Sequence, residues 1–329
     1  LANRKHACDI LLDHNLKEDI LKKYINLSSN SCIQLLGLDF ALLDSIYNAT
    51  QKKIINRKGK IKNILISFAG GDLEGMTLMT LKAFTSLNIK NIFIEVIVKK
   101  ESPNFKEIKE ITKHFKNIKI YNYQKTLIPF IARADYAIGG AGMSCLERCC
   151  LGLPSTVISL AKNQEHVIKI LSEKKIIKYL GRSEEITENK LKIEISRLLN
   201  LKLNEKLSIN CKKIIDGLGT IRVVDYLLIE KKYCIDIRDS NLKDFDFIKS
   251  INIKNQTLIK NYKNNLRNLE KYNSYIVETK KSKLKIAWIN FQLNNDYLSL
   301  SFYFPKIFNE ERFKFKILSL VLNHFKDSS

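Results

Sequence analysis

Between about Lys60 and Tyr226, short apolar runs alternate with stretches whose apolar residues recur at helical spacing. Ile61 to Phe68 is rich in β-branched residues and predicts a strand, closed by the glycine turn Gly70-Gly71. Thr77 to Leu87 has helical periodicity, and Asn91 to Val98 predicts the next strand. A polar helix around Phe105 to Phe115, a strand at Ile118 to Tyr121 and a helix at Leu127 to Ala134 follow. Tyr136 to Ile138 and Thr156 to Ser159 read as strands around a helix at Ser144 to Leu151, with a further helix at Gln164 to Leu171. This repetition implies an α/β unit, a parallel sheet with helices on both faces. Such sheets bind ligands at the carboxyl ends of their strands, which points to the turns after Phe68 and Ile138.

The flanks differ in texture. Before Lys60 the chain offers a strand-like Cys8 to Leu12, a helix near Lys17 to Tyr24 and a strand-like Ile33 to Leu36. That is too little for a domain, and it reads as the end of a preceding unit plus a connector. After about Glu230, Asn, Lys and aromatic residues dominate. Alternation in Ile286 to Phe291 and Leu298 to Phe304 predicts an antiparallel pair, and Phe313 to Phe325 a closing helix. The expected divisions are residues 1–59, 60–232 and 233–329, the last a smaller α+β appendage.

Composition narrows the function classes. Hydrophobic residues at 45% and charged residues at 27% over 329 positions suit a folded chain of about two domains. No apolar run approaches the roughly 18 residues needed to span a bilayer, so no membrane role is expected. The opening Leu1-Ala2-Asn3-Arg4-Lys5-His6 lacks Met and lacks a signal peptide's apolar core, and reads as a cut start. A net charge of +22 invites nucleic acid as a partner, but 46 of the 56 basic residues are Lys in a chain heavy in Ile and Asn. AT-rich coding produces that balance without a basic groove, so nucleic acid is not expected. Seven scattered cysteines form no disulfide framework, and Cys145, Cys149 and Cys150 have no completing ligands for zinc. They fit small, half-buried helix residues in a reducing cytoplasm, with no metal.

Three turns can carry chemistry. Ile138-Gly139-Gly140-Ala141-Gly142-Met143-Ser144 runs from a strand into a helix through Glu147. Backbone amides at Gly140, Gly142 and Met143, with the helix N-terminus, suit an anion, and Ser144 can donate to a phosphate. The structural alternative is a capping box, Ser144 with Glu147, and the pattern alone leaves both open. Ser67-Phe68-Ala69-Gly70-Gly71-Asp72 is a second strand-to-helix turn that could face the same diphosphate. Its alternative is a tight connection with Asp72 as a cap. Lys162-Asn163-Gln164-Glu165-His166 brings Asn163 and Gln164 to the same rim, or is a solvated edge.

Together, Ile138 to Gln164, with its core Glu147-Arg148-Cys149-Cys150-Leu151-Gly152-Leu153-Pro154-Ser155, resembles the UDP-2,4-diacetamido-2,4,6-trideoxy-β-L-altropyranose hydrolases of pseudaminic acid synthesis. The resemblance extends to Asn3-Arg4, His6, Asp9 and Asn15, to Leu36-Gly37 with Ala41-Leu42-Leu43, and to the Ser67-to-Asp72 turn. It also takes in Asp216-Gly217-Leu218-Gly219 with Arg222-Val223, so it covers about Leu1 to Ile229. It implies the GT-B architecture of nucleotide-sugar glycosyltransferases, with the Gly139-to-Ser144 loop on the UDP diphosphate. Glu147 would hold the ribose, and Asn163 and Gln164 would lie near phosphate or sugar. It implies a UDP-sugar substrate, no cofactor and a glycosyltransferase or a binding module as the alternatives.

The family also opens with a glycine-rich turn carrying a histidine that looks like the general base, and nothing here matches it. His6 and His14 belong to a later motif, while Ala69 and Asp44 stand where the family favours glycine and arginine. The expectation is a chain with its nucleotide side present, its catalytic base missing and weak activity. Ile235-Asp236-Ile237-Arg238 with Leu242-Lys243-Asp244 faintly resembles the opening of a GNAT N-acetyltransferase. All 12 glycines lie between Gly37 and Gly219, so the stretch Phe304 to Phe308 lacks the loop that would approach a pyrophosphate. Acetyl-CoA is therefore not expected.

Overall fold

The computed structural model describes residues 4–15, 23–29, 32–68, 71–203, 205–228, 235–251, 274–280, 283–294, 297–305 and 311–326. One unit comprises Leu1–His14, Asp19–Leu36 and Thr220–Ser329; the other comprises Asn15–Glu18 and Gly37–Gly219. In the first, β1 (Ile10–Asp13) and β2 (Ile33–Leu36) pair in parallel. The helix expected near Lys17 to Tyr24 falls, except for its last two residues, outside the described residues.

The second unit carries α1 (Ile46–Gln51), β3 (Gly59–Lys60), β4 (Asn63–Ser67), α2 (Met76–Ser86), β5 (Phe93–Ile97), α3 (Phe105–Thr112) and β6 (Ile118–Tyr121). It continues with α4 (Ile128–Arg133), β7 (Tyr136–Gly140), α5 (Met143–Cys150), β8 (Ser155–Ser159), α6 (Glu165–Glu173) and β9 (Lys178–Arg182). Then come α7 (Glu188–Asn200), β10 (Lys202–Leu203) and α8 (Glu205–Ile214). Six strands form one parallel sheet in the order β6-β5-β4-β7-β8-β9.

Strand alternation sorts the core onto two faces. Leu65, Ala137 and Val157 pack with Ile131 of α4, Cys145 and Cys149 of α5, Ile168 of α6 and Cys211 of α8. Their neighbours Ile64, Ile66, Ile138 and Ile158 pack with Leu81 of α2, Ile108 of α3 and Ile195 of α7. The α/β sheet with helices on both faces is thus present as the periodicity indicates. The periodicity did not mark every element, β9 and α7 among them. β9 is an edge strand in which only Gly181 is buried, and α7 buries Leu191, Ile195 and Leu198 among many polar residues.

The unit starts well before residue 60. Leu38, Ala41, Leu43 and Tyr47 belong to its core, though their spacing has no period that would announce it. The unit ends at Gly219, where α9 (Gly219–Leu228) begins.

The C-terminal part contains β11 (Ile235–Asp239), α10 (Phe245–Ser250), β12 (Ser274–Thr279), β13 (Lys285–Asn294), β14 (Tyr297–Tyr303) and α11 (Glu311–Lys326). Its antiparallel sheet runs β11-β12-β13-β14, and includes the expected β13–β14 pair. Trp288 stacks on Tyr303 at 5.2 Å, and Arg238 grips buried Asp244 through two 2.8 Å contacts. Of Phe304 to Phe308, only Phe304 and Pro305 lie within the described residues. Among the described residues, no helix is long and apolar enough to cross a membrane.

Candidate functional site

The strand order places a topological switch between β4 and β7, whose connections leave toward opposite edges of the sheet. A crevice forms outside the carboxyl ends of strands at such a point. Here a cleft of about 670 Å³ occupies it. Its walls are the segment Leu42 to Tyr47, the end of β4 with Gly71 and Asp72, and the end of β5 with Lys99. The loop Tyr123 to Leu127 and the start of α5, with Met143, Ser144 and Glu147, complete it.

Close approach of β4 and β7 forms the floor. Gly139 pairs with Ser67, and a Cβ at Gly139 would run into the Ser67 carbonyl oxygen and lie 3.0 Å from Nη1 of Arg148. Only glycine fits there. Arg148 is fully buried beneath the turn, donating from Nη2 to the Gly140 carbonyl at 2.7 Å and from Nε to Ser155 Oγ at 3.2 Å.

The expected site residues divide into three groups. Gly71, Asp72, Met143, Ser144 and Glu147 line the cleft together. Gly140, Gly142, Asn163 and Gln164 do not. Gly142 and Gln164 are neighbours nonetheless, since a Cβ on Gly142 would lie 3.6 Å from the Gln164 amide nitrogen. Gln164 Oε1 accepts the Leu160 N–H at 3.1 Å, so this side chain braces the turn after β8, while Asn163 is exposed beside it. Gly70 lies outside the described residues.

The capping box weighed for Ser144 and Glu147 does not form. Gly142 is the N-cap of α5, and Ser144, already inside the helix, has a buried Oγ with no hydrogen-bond partner among the described residues. Asp72 is a cap. Both its oxygens accept the Thr77 N–H at 3.1 Å near the start of α2, from a left-handed backbone at φ 58° that Asp tolerates. Burial raises its pKa, against the pull of the Thr77 and Met76 amides.

Glu147 is the cleft's half-buried carboxylate. Burial raises its pKa, and the Tyr47 side chain and Arg148 oppose the rise. Tyr47 was not singled out by the sequence. Its side chain is packed in the core and also lines the cleft with Thr126 and Glu147, and burial followed by the charge of Glu147 raises its pKa. No local pattern marks Tyr47, because Glu147 on the same cleft lies 100 residues on. Lys99 and Lys125 add cationic groups to the wall. Among the described residues, no cluster of three or more His, Cys, Asp or Glu could hold a metal ion.

No family model matches the chain. Over 193 residues it is 24% identical to the spore coat polysaccharide biosynthesis protein SpsG of Bacillus subtilis, across 58% of this chain and 57% of that protein. The chain thus spans little more than half the length of the curated relative it matches. Among solved structures it is similar to MurG of Acinetobacter baumannii, with 17% identity, a TM-score of 0.43 and coverage of 57% of this chain and 56% of that one. A glycosyltransferase from Rickettsia africae ESF-5 is 10% identical with a TM-score of 0.44, covering 68% of this chain and 62% of that one.

Proposed function

We propose that the unit Gly37–Gly219 is the nucleotide side of a GT-B-like enzyme that binds a UDP-linked sugar in this cleft. The reaction it serves is hydrolysis of a UDP-linked 2,4-diacetamido-2,4,6-trideoxy hexose at C1. The observation that carries the reading is the start of α5 at the switch point, where Met143, Ser144 and the half-buried Glu147 line one cleft. The resemblance of Ile138 to Gln164 to the UDP-sugar hydrolases supports the ligand, and the likeness to a protein named for polysaccharide biosynthesis supports the class of pathway.

In this reading Glu147 accepts the two ribose hydroxyls, and the start of α5, where Met143 and Ser144 line the cleft, receives the diphosphate. A carboxylate suits a diol because its lone pairs can accept two O–H groups at once. The amides at the turn and the N-terminal charge of α5 suit the leaving group. Water adds to C1, the bond from C1 to the UDP oxygen breaks with its electron pair passing to UDP, and a base takes the proton from the water. Amides fixed at the start of a helix would stabilise the developing charge on that oxygen without reorganising.

Calorimetry with UDP tests the site. Glu147→Ala should weaken binding by about 1–3 kcal/mol, the cost of leaving ribose hydroxyls unpaired. Unchanged affinity would remove the ribose assignment. Product analysis tests the reaction: free sugar and UDP without an acceptor mark a hydrolase, whereas acceptor-dependent release marks a glycosyltransferase using the same cleft. UDP binding with neither product marks a binding module.

A further inference from the structure

We infer that Cys8 and Cys32 form a redox modification site, a dithiol that a low-molecular-weight disulfide converts to a reversible cross-link between the segments leading into β1 and β2. Their sulfurs lie 3.7 Å apart although 24 positions separate them in the chain. Both are free thiols, Cys32 buried and Cys8 partly exposed. Cys145, Cys149, Cys150 and Cys211 are buried in the core of the other unit. Among the described cysteines, Cys8 is therefore the one a solute reaches first.

The backbone holds the pair at this approach. His6 bridges Ser28 in parallel, and its N–H donates to the Leu27 carbonyl at 2.6 Å. Just past the cysteines the ladder of β1 and β2 begins, with Ile10 opposite Ile33. The Ile33 N–H donates to the Asp9 carbonyl at 2.8 Å. Cys8 lies between these two anchors on one segment, and Cys32 between them on the other. Leu11, Tyr24, Cys32 and Leu36 form a buried cluster, and Cys8 and Leu27 pack against it. A disulfide needs about 2.05 Å between its sulfurs, so the thiols must close by about 1.7 Å, a step within reach of side-chain rotation.

The exchange runs in two displacements. The Cys8 thiol gives its proton to water, and its sulfur attacks one sulfur of the small disulfide, whose S–S bond breaks to release one thiolate. Cys32 then attacks the Cys8 sulfur, losing its proton as the new S–S bond forms and the second small thiolate leaves. Two cysteines are oxidised, and one small disulfide is reduced to two thiols. Burial, and then the Cys8 thiol beside it, pushes the Cys32 thiol up to about 11. Cys32 is thus protonated at neutral pH and reacts second. Its nearness replaces a bimolecular encounter.

The test equilibrates the full reduced chain in buffers of oxidised and reduced glutathione, quenches with acid, and weighs tryptic peptides by mass spectrometry. Lys17, Lys22 and Lys23 lie between the two cysteines, so trypsin separates them unless they are linked. The Cys8 and Cys32 peptides should appear joined and should part on adding reductant. Linking should persist in a buffer at least roughly tenfold more reducing than the same chain tolerates in urea, and that factor is the stabilisation the link confers on the fold. Cys32→Ala should stop with glutathione on Cys8, and Cys8→Ala should leave Cys32 unreacted. Glutathione held on Cys8 of the wild-type chain without a cross-link would overturn the inference. So would a link that forms no more readily in the folded chain than in urea, or a Cys32 that reacts as fast without Cys8. If either variant fails to fold, the wild-type peptide map alone decides.

Discussion

Arg57→Met should destabilise the unit Gly37–Gly219 severely, for reasons that can be worked from its contacts. Arg57 is 6% exposed. It donates to the Ala134 carbonyl at 3.2 Å and the Ile131 carbonyl at 2.6 Å, and its third nitrogen donates to the Leu151 carbonyl. Ala134 and Leu151 are the C-caps of α4 and α5. Terminal helix carbonyls lack partners of their own and carry the negative end of the dipole, so one guanidinium answers two helix ends. Burial lowers its pKa to about 10, which leaves it charged at neutral pH. Hydrogen bonds from a charged donor contribute about 1.5–3 kcal/mol each, and each stranded buried carbonyl costs about 1–3 kcal/mol. Methionine offsets part of that sum by refilling apolar volume and by removing a desolvated charge, which leaves a net loss of about 2–4 kcal/mol. With an m-value of about 2 kcal/mol/M, the urea midpoint followed by far-UV circular dichroism should fall by about 1–2 M. Hydrogen exchange should place the loss at the ends of α4 and α5. Arg57→Lys keeps the charge but cannot span three carbonyls, so about half the loss should remain. A midpoint for Arg57→Met within about 0.2 M of wild type would refute the reasoning.

Gly139→Ala sets a Cβ against the Ser67 carbonyl oxygen, which is backbone and cannot swing away; about 1–3 kcal/mol of stability should go, and UDP affinity with it. An unchanged melting temperature and affinity would speak against that close approach. For Asp244, burial works to raise the pKa, but Arg238 and Lys285 prevail and bring it to about 2. Its folded pKa thus lies below an unfolded value near ~3.9, so its stabilisation is full above that value and lost as pH falls toward 2; acid titration of Trp288 fluorescence should show the loss, and Asp244→Asn should flatten it. Glu147 has the opposite sign, since its folded pKa is raised: its contribution is present below the unfolded pKa and lost as pH rises through the folded one. Glu147→Gln should therefore stabilise the unit slightly at neutral pH while weakening UDP binding, and a variant that loses stability there would contradict this. Acetyl-CoA should leave the thermal transition of the C-terminal sheet unmoved; exchange protection near Pro305 on adding it would show otherwise.

What the sequence alone determined is the part of this protein written in local order. The β-branched runs, the helical periods between them and the glycine turn before Ser144 each depend on residues close in the chain, so the alternating sheet and the turns at its carboxyl edge were legible. The antiparallel pair near the C-terminus was legible for the same reason, because strict alternation over neighbouring positions reports one buried face. The tertiary structure decided the rest. β9 carries little apolar signal because an edge strand has only one partner strand to satisfy. Asp72 reads in the sequence as a ligand or a cap; in the fold both its oxygens accept the Thr77 N–H while it lines the cleft. Ser144 and Glu147 had the spacing of a capping box, and the helix began at a different residue. Tyr47 had no signal at all. It comes to line the cleft only because Gln51 and Arg57 fasten its segment to carbonyls about a hundred residues away, and contacts at that separation leave no period in the sequence to read.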